Sequence, residues 1–248
     1  MNEDDIIEEC IDIIDELVNL PYSEIFQIAP AERDLEELHQ LAPQLAEPLI
    51  GMMFCAIMQG HKEKAIELGN QVWNIGGEFF DNLEMLYADC LINVGEFEKA
   101  QTLISSRMED VEENLETFYS AVVKYALCTG DLYILHNLAS DDEIYMSDQK
   151  LFDFAEENYE GLANKHYKAI LKIVYDTVSP ILCTTEFLNH PDGGIQLCLY
   201  TSANIEENTK FQDIIYEKIN GYYASMQEEN HKLVHVRIEN VNLHPQWW

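Results

Sequence analysis

The stretch Leu86-Tyr87-Ala88-Asp89-Cys90-Leu91-Ile92-Asn93-Val94-Gly95-Glu96-Phe97-Glu98-Lys99-Ala100 reads as a helix, a stop and the start of a second helix. On either side of Gly95 the apolar residues recur at three- and four-residue spacing, the pattern of one helix face. Glycine takes the left-handed backbone conformation without a Cβ penalty and so ends a helix cleanly. Five positions later, Ala100 is small enough for the second helix to come close to the first. Working outward, Gly60 and Gly130 each stand 35 residues from Gly95. Around them lie Gly60-His61-Lys62-Glu63-Lys64-Ala65 and Gly130-Asp131-Leu132-Tyr133-Ile134-Leu135. Four residues before the three glycines come Ala56, Leu91 and Ala126, all apolar, and Cys55 and Cys90 also fall in register. The period predicts first helices over Leu49–Gln59, Leu83–Val94 and Phe118–Thr129. Second helices are expected over Lys62–Asn74, Phe97–Met108 and Leu132–Ala139.

This spacing resembles the tetratricopeptide repeat family, whose units are helix pairs of about 34 residues. The resemblance covers residues 47–140, and its best unit is the stretch quoted above, with its small and large residues, glycine, aromatic, acidic-basic pair and alanine in family order. A degenerate fourth unit over Asp148–Thr177 would place Lys165 at the glycine position and Tyr167 at the aromatic one. The first unit departs from the pattern with Lys62 in place of an aromatic, the third with Leu135 in place of alanine, and no proline stands between units. In that family the inner, ligand-facing surface is built by the first helix of each pair. The resemblance therefore implies a binding groove of Phe54, Ile57 and Met58, then Asn82, Met85, Asp89, Ile92 and Asn93, then Thr117, Ser120, Lys124, Leu127 and Cys128. Family members that clamp an acidic peptide terminus use several lysines, arginines and asparagines. Only Lys124 is basic here, so that function is disfavoured. An apolar floor with Asn and Asp suits an extended or helical peptide of apolar or basic character.

Residues 1–46 are expected to form acidic helices that pack on the array. Ile6, Ile7, Cys10, Ile11, Ile13, Ile14, Leu17 and Val18 make a broad apolar stripe over residues 6–18 that ends before Pro21. Pro30 then suits the start of a helix over Ala31–Leu41. Residues 47–177 hold the repeats and 178–248 a small α+β cap. In the cap, Ile181–Leu188 and Ile195–Thr201 read as strands joined by the turn-forming Asn189-His190-Pro191-Asp192-Gly193-Gly194. Asn204 and Glu207 make a capping box for a helix over residues 205–226. Leu233–Val241 alternates, with Val234, Val236 and Ile238 on one side and His231, His235 and Arg237 on the other. The expected fold is mainly α: a tetratricopeptide-like array of helical hairpins closed by a strand-strand-helix-strand cap. The terminal Trp247 and Trp248 are expected to dock, because Leu243-His244-Pro245 reads as a stiffened approach.

Composition limits the function. Among 248 residues, 46 Asp and Glu stand against 14 Lys and Arg, a net charge of −32. Such a field repels phosphate and anionic lipid, which argues against direct nucleic-acid or membrane-surface binding. Residues 1–60 hold 14 carboxylates and a single basic residue, Arg33. The acidic start lacks the basic region of a signal peptide, and six scattered cysteines without a CxxC pair read as buried thiols in a cytoplasmic protein. No P-loop, GxGxxG, HExxH or GxSxG occurs, and no metal or cofactor site is expected; His231 and His235 read as exposed strand residues. The expected function is a non-catalytic scaffold or adaptor that binds a basic or apolar protein or peptide through the groove or the acidic surface. An acidic inhibitor or nucleic-acid mimic at a partner's basic site is the alternative, and an enzyme with a site between array and cap a second one. Homo-oligomerisation is left open.

Overall fold

The computed structural model describes residues 2–20, 26–76, 82–107, 115–134, 160–178, 182–189, 195–225 and 234–241, together with 153, 156 and 157. The described residues are mainly helical with one small sheet. In order the elements are α1 (Glu3–Val18), α2 (Ile28–Leu41), α3 (Glu47–Met58), α4 (Lys62–Ile75), α5 (Asn82–Val94), α6 (Phe97–Arg107) and α7 (Leu115–Thr129). There follow α8 (Gly161–Val178), β1 (Leu182–Asn189), β2 (Ile195–Thr201), α9 (Ile205–Ala224) and β3 (Val234–Asn240).

The expected turns occur where the glycines stand. Gly60, Gly95 and Gly130 close α3, α5 and α7 with φ of 74°, 86° and 72°. The first two turns also bond alike. The Gly60 amide donates to Ile57 O and the His61 amide to Ala56 O; 35 residues on, Gly95 donates to Ile92 O and Glu96 to Leu91 O. The 6→1 bonds of His61 and Glu96, with the shorter bonds of the glycines, satisfy carbonyls that a helix end leaves open. Past Gly130 a new helical turn starts at Leu132, and Leu135–Ala139 lies outside the described residues.

The helices pack in a pattern that advances two elements at a time. Helix α1 touches α2 and α3, and α2 touches α3. The same triangle recurs for α3, α4 and α5, and again for α5, α6 and α7. The N-terminal pair therefore occupies the same kind of place as the pairs behind it. Its α1 is opened by a capping box in which the Asp5 amide donates to Asn2 Oδ1 at 2.8 Å and the Asn2 amide to Asp5 Oδ2 at 3.0 Å. Its buried stripe is Ile6, Cys10, Ile14 and Leu17.

Helix α3 lies at the centre. All twelve of its residues are buried, as an apolar helix without a polar side requires. Gly51 sets its approach to α1 and α2. A Cβ there would fall 2.8 Å from Leu35 Cδ1 and 3.1 Å from Ile14 Cγ1.

The fourth unit departs from expectation. Lys165, assigned to its inter-helix turn, lies inside α8, which runs unbroken from Gly161 to Val178. This helix seats instead on the end of α7, where the Tyr167 hydroxyl donates to Leu127 O at 2.9 Å.

The sheet has the order β1-β2-β3, with β1 antiparallel and β3 parallel to β2, and α9 as the crossover. The Asn204–Glu207 capping box forms as its sequence indicates. In β3 the alternation also holds, with Val234, Val236 and Ile238 buried. Trp247, Trp248, His231 and the Gly193-Gly194 turn lie outside the described residues.

Ala65 and Ala100, at equivalent positions, are both fully buried, whereas Glu98 is exposed. Enlarging Ala100 to Leu is expected to cost ~1–3 kcal/mol by overpacking, and Glu98→Gln almost nothing. Urea-melt midpoints check this, and equal midpoints for the two variants contradict the packing.

Candidate binding groove

The groove residues lie on α3, α5 and α7, which touch one another in that order. Those whose side chains are described are closed or nearly closed to solvent. Phe54, Ile57 and Met58 on α3 are at most 2% exposed. On α5, Met85, Asp89, Ile92 and Asn93 are at most 8% exposed, and on α7 Leu127 and Cys128 are buried. The side chains of Asn82, Thr117 and Ser120 lie outside the described residues. Part of the cover is β1, which packs on both α5 and α3. The expected peptide platform is thus occupied by a strand of the same chain.

Three of the predicted residues form one polar cluster. Lys124 Nζ lies 2.8 Å from Asp89 Oδ1 and donates to Oδ2 at 3.0 Å. Asn93, one turn along α5, donates to the same Oδ2 at 3.3 Å. The two charged side chains are only 11–12% exposed. Burial holds the Asp89 carboxyl above its ordinary value, against the opposing pull of Lys124 and the two bonds. Asp89 and Lys124 are 35 residues apart, the same spacing as the glycines. They are therefore equivalent positions on successive inner helices, and the next equivalent position is Phe54. The period brings them face to face.

Beyond this cluster, Cys128 stands at a junction that neither motif nor period indicates. The Tyr175 hydroxyl of α8 donates to Cys128 Sγ at 2.8 Å, and Thr185 Oγ1 of β1 lies 3.7 Å from the same sulfur. Tyr175 also meets Phe97 edge-on, with ring centroids 5.5 Å apart. Helices α6, α7 and α8 and strand β1 meet there. Burial raises the Cys128 thiol to about 11 although Tyr175 and Thr185 stabilise its thiolate. Cys10 is raised to about 12, and Cys55 and Cys90 are raised as well, burial being the largest cause each time. Thiols held protonated at neutral pH are poor nucleophiles. Tyr175 and Thr185 carry no periodic or motif signal; only the tertiary fold brings them to Cys128.

Among the described residues no group of three or more His, Cys, Asp and Glu side chains is arranged to hold a metal ion. No described helix is long and apolar enough to cross a membrane.

A buried ion pair is destabilised most by losing one partner, since the other charge is then stranded. Asp89→Leu is expected to cost ~3–5 kcal/mol. The double variant Asp89→Leu/Lys124→Met should return to within ~1 kcal/mol of the parent or exceed it. A double-mutant cycle in urea measures the coupling. Additive single effects would show that the pair is not a unit.

No protein-family model, curated protein or solved structure matches this chain.

Proposed function

We propose that the chain is a non-catalytic interaction module, a tetratricopeptide-like stack of helix pairs that takes a basic protein partner on the acidic face of α1 and α2. The observation that carries this reading is the outer surface of α1. Its sixteen residues hold eight carboxylates, Glu3, Asp4, Asp5, Glu8, Glu9, Asp12, Asp15 and Glu16, and no lysine or arginine. All eight are exposed, while the apolar stripe faces α2 and α3. Exposed Asp34 and Glu37 of α2 extend the surface. Nearby Lys64 is already engaged, 2.7 Å from Glu32 and 3.8 Å from Glu36. Most of the described positions expected to line a peptide groove are buried, which favours recognition on the outside. Five described cysteines are buried free thiols, in keeping with the reducing cytoplasm expected from the sequence.

Charge density favours a second reading, a nucleic-acid mimic that occupies a partner's basic site. At about 1.5 Å of rise per residue, α1 is about 24 Å long and carries a carboxylate every ~3 Å. One strand of DNA carries a phosphate every ~3.4 Å of axis.

Both readings predict capture that salt weakens, because surface charge is screened over a Debye length of about 10 Å at 0.1 M. The variant Glu8→Gln/Asp12→Asn/Asp15→Asn/Glu16→Gln leaves the Asn2–Asp5 cap intact. It is expected to lose at least tenfold in affinity for partners captured by the parent protein from native lysate. Release of those partners by competing duplex DNA selects the mimic. Partners retained equally by parent and variant at high salt overturn the acidic-face assignment.

A further inference from the structure

Among the described residues strand β3 pairs with β2 on one side only, and alternate residues of a strand direct their backbone groups to opposite sides. The Glu239 carbonyl faces β2, where it accepts from Thr201 Oγ1 at 3.4 Å. Val236 and Ile238 therefore face away, along the outer edge. There they meet a side chain. Gln212 of α9 donates from Nε2 to Val236 O at 2.6 Å and accepts at Oε1 from the Ile238 amide at 2.9 Å. The Tyr216 hydroxyl, one helical turn on, donates to the same Val236 carbonyl at 3.2 Å. One amide side chain thus supplies the donor and acceptor that a residue of a neighbouring strand would supply. Unpaired edges are templates for strand addition, and proteins blunt them.

We infer that the outer edge of β3 is a latent self-pairing surface for a second copy of this chain, held closed by Gln212 and Tyr216. A second copy fits because of the charges on β3. If two β3 strands pair antiparallel about Ile238, the outward-facing Ile238 of each copy exchanges both backbone bonds with the other, and Val236 pairs with Asn240. Arg237 then stands directly opposite Glu239 of the other copy, twice by symmetry. Arg237 is 64% exposed and already ion-paired with Glu239 of its own strand, so the same charges can bridge the pair. Opposite charges directly across an antiparallel pair are favourable, and the arrangement is a closed two-fold one. The net charge of −32 opposes association elsewhere on the surface, which leaves this locally balanced edge as the contact.

The test removes the plug. Gln212→Ala/Tyr216→Phe is expected to double the molar mass relative to the wild type as concentration rises, by size-exclusion chromatography with light scattering, while the helical circular-dichroism spectrum is kept. Adding Arg237→Glu places like charges across the pair and is expected to return the mass to that of the wild type. Gln212→Ser/Tyr216→Phe gives the same measurement should the first plug variant lose its helical spectrum. A folded plug variant that keeps the wild-type mass at every concentration overturns the proposal. So does an assembly that Arg237→Glu leaves intact, because its contact is then not this edge in this register.

Discussion

A helix with no polar side cannot rest at a surface, and α3 is such a helix. Glu47-Pro48-Leu49-Ile50-Gly51-Met52-Met53-Phe54-Cys55-Ala56-Ile57-Met58 has to be wrapped on every side. It is wrapped by α1 and α2 in front, α4 and α5 behind, and β1. That requirement explains why a helix pair precedes the glycine-marked period and why the cap reaches back to the array. It also explains Gly51, where any side chain would collide with Leu35 and Ile14. The covering elements then arrange the rest. Once β1 lies on α3 and α5, Thr185 is brought to Cys128, and α8 supplies Tyr175 to the same place.

How much of this was legible in the sequence depends on the range of the interaction. Local chemistry was legible. A glycine that must turn left-handed, an Asn and a Glu that cap one helix end, and the two-residue alternation of β3 are decided within a few residues, and all lie where the sequence places them. The fourth unit was misread because Lys165 has no property that ends a helix; only the period pointed there, and α8 runs through it. The groove was half legible. The period identified the inner residues and so brought Asp89 to Lys124, but nothing local to α3, α5 or α7 shows that a strand about a hundred residues later lies over them.

The charge is distributed with the fold. Cations are few, and several described lysines are tied to carboxylates: Lys64 to Glu32 and Glu36, Lys99 to Glu96, Lys124 to Asp89, Lys172 to Asp176 and Lys210 to Glu206. Only the Lys124 pair is well buried. The exposed pairs contribute little to stability, about 0–1 kcal/mol each. Their effect is to leave α1, which has no lysine or arginine of its own, as a continuous acidic surface.

The equivalence of Phe54, Asp89 and Lys124 has a consequence for how such a chain can change in length. Solenoids of interchangeable units gain and lose whole units by duplication and deletion, because each neighbour presents the same face to the next. Here the faces are no longer the same. Excising the 35 residues that follow Phe54 would keep every glycine turn in register and set Phe54 against Lys124. That would strand a buried ammonium without its carboxylate, at a cost of several kcal/mol. One lysine and one aspartate thus make α5 and α7 specific neighbours, and the face that α3 presents with Phe54 cannot stand in for that of α5.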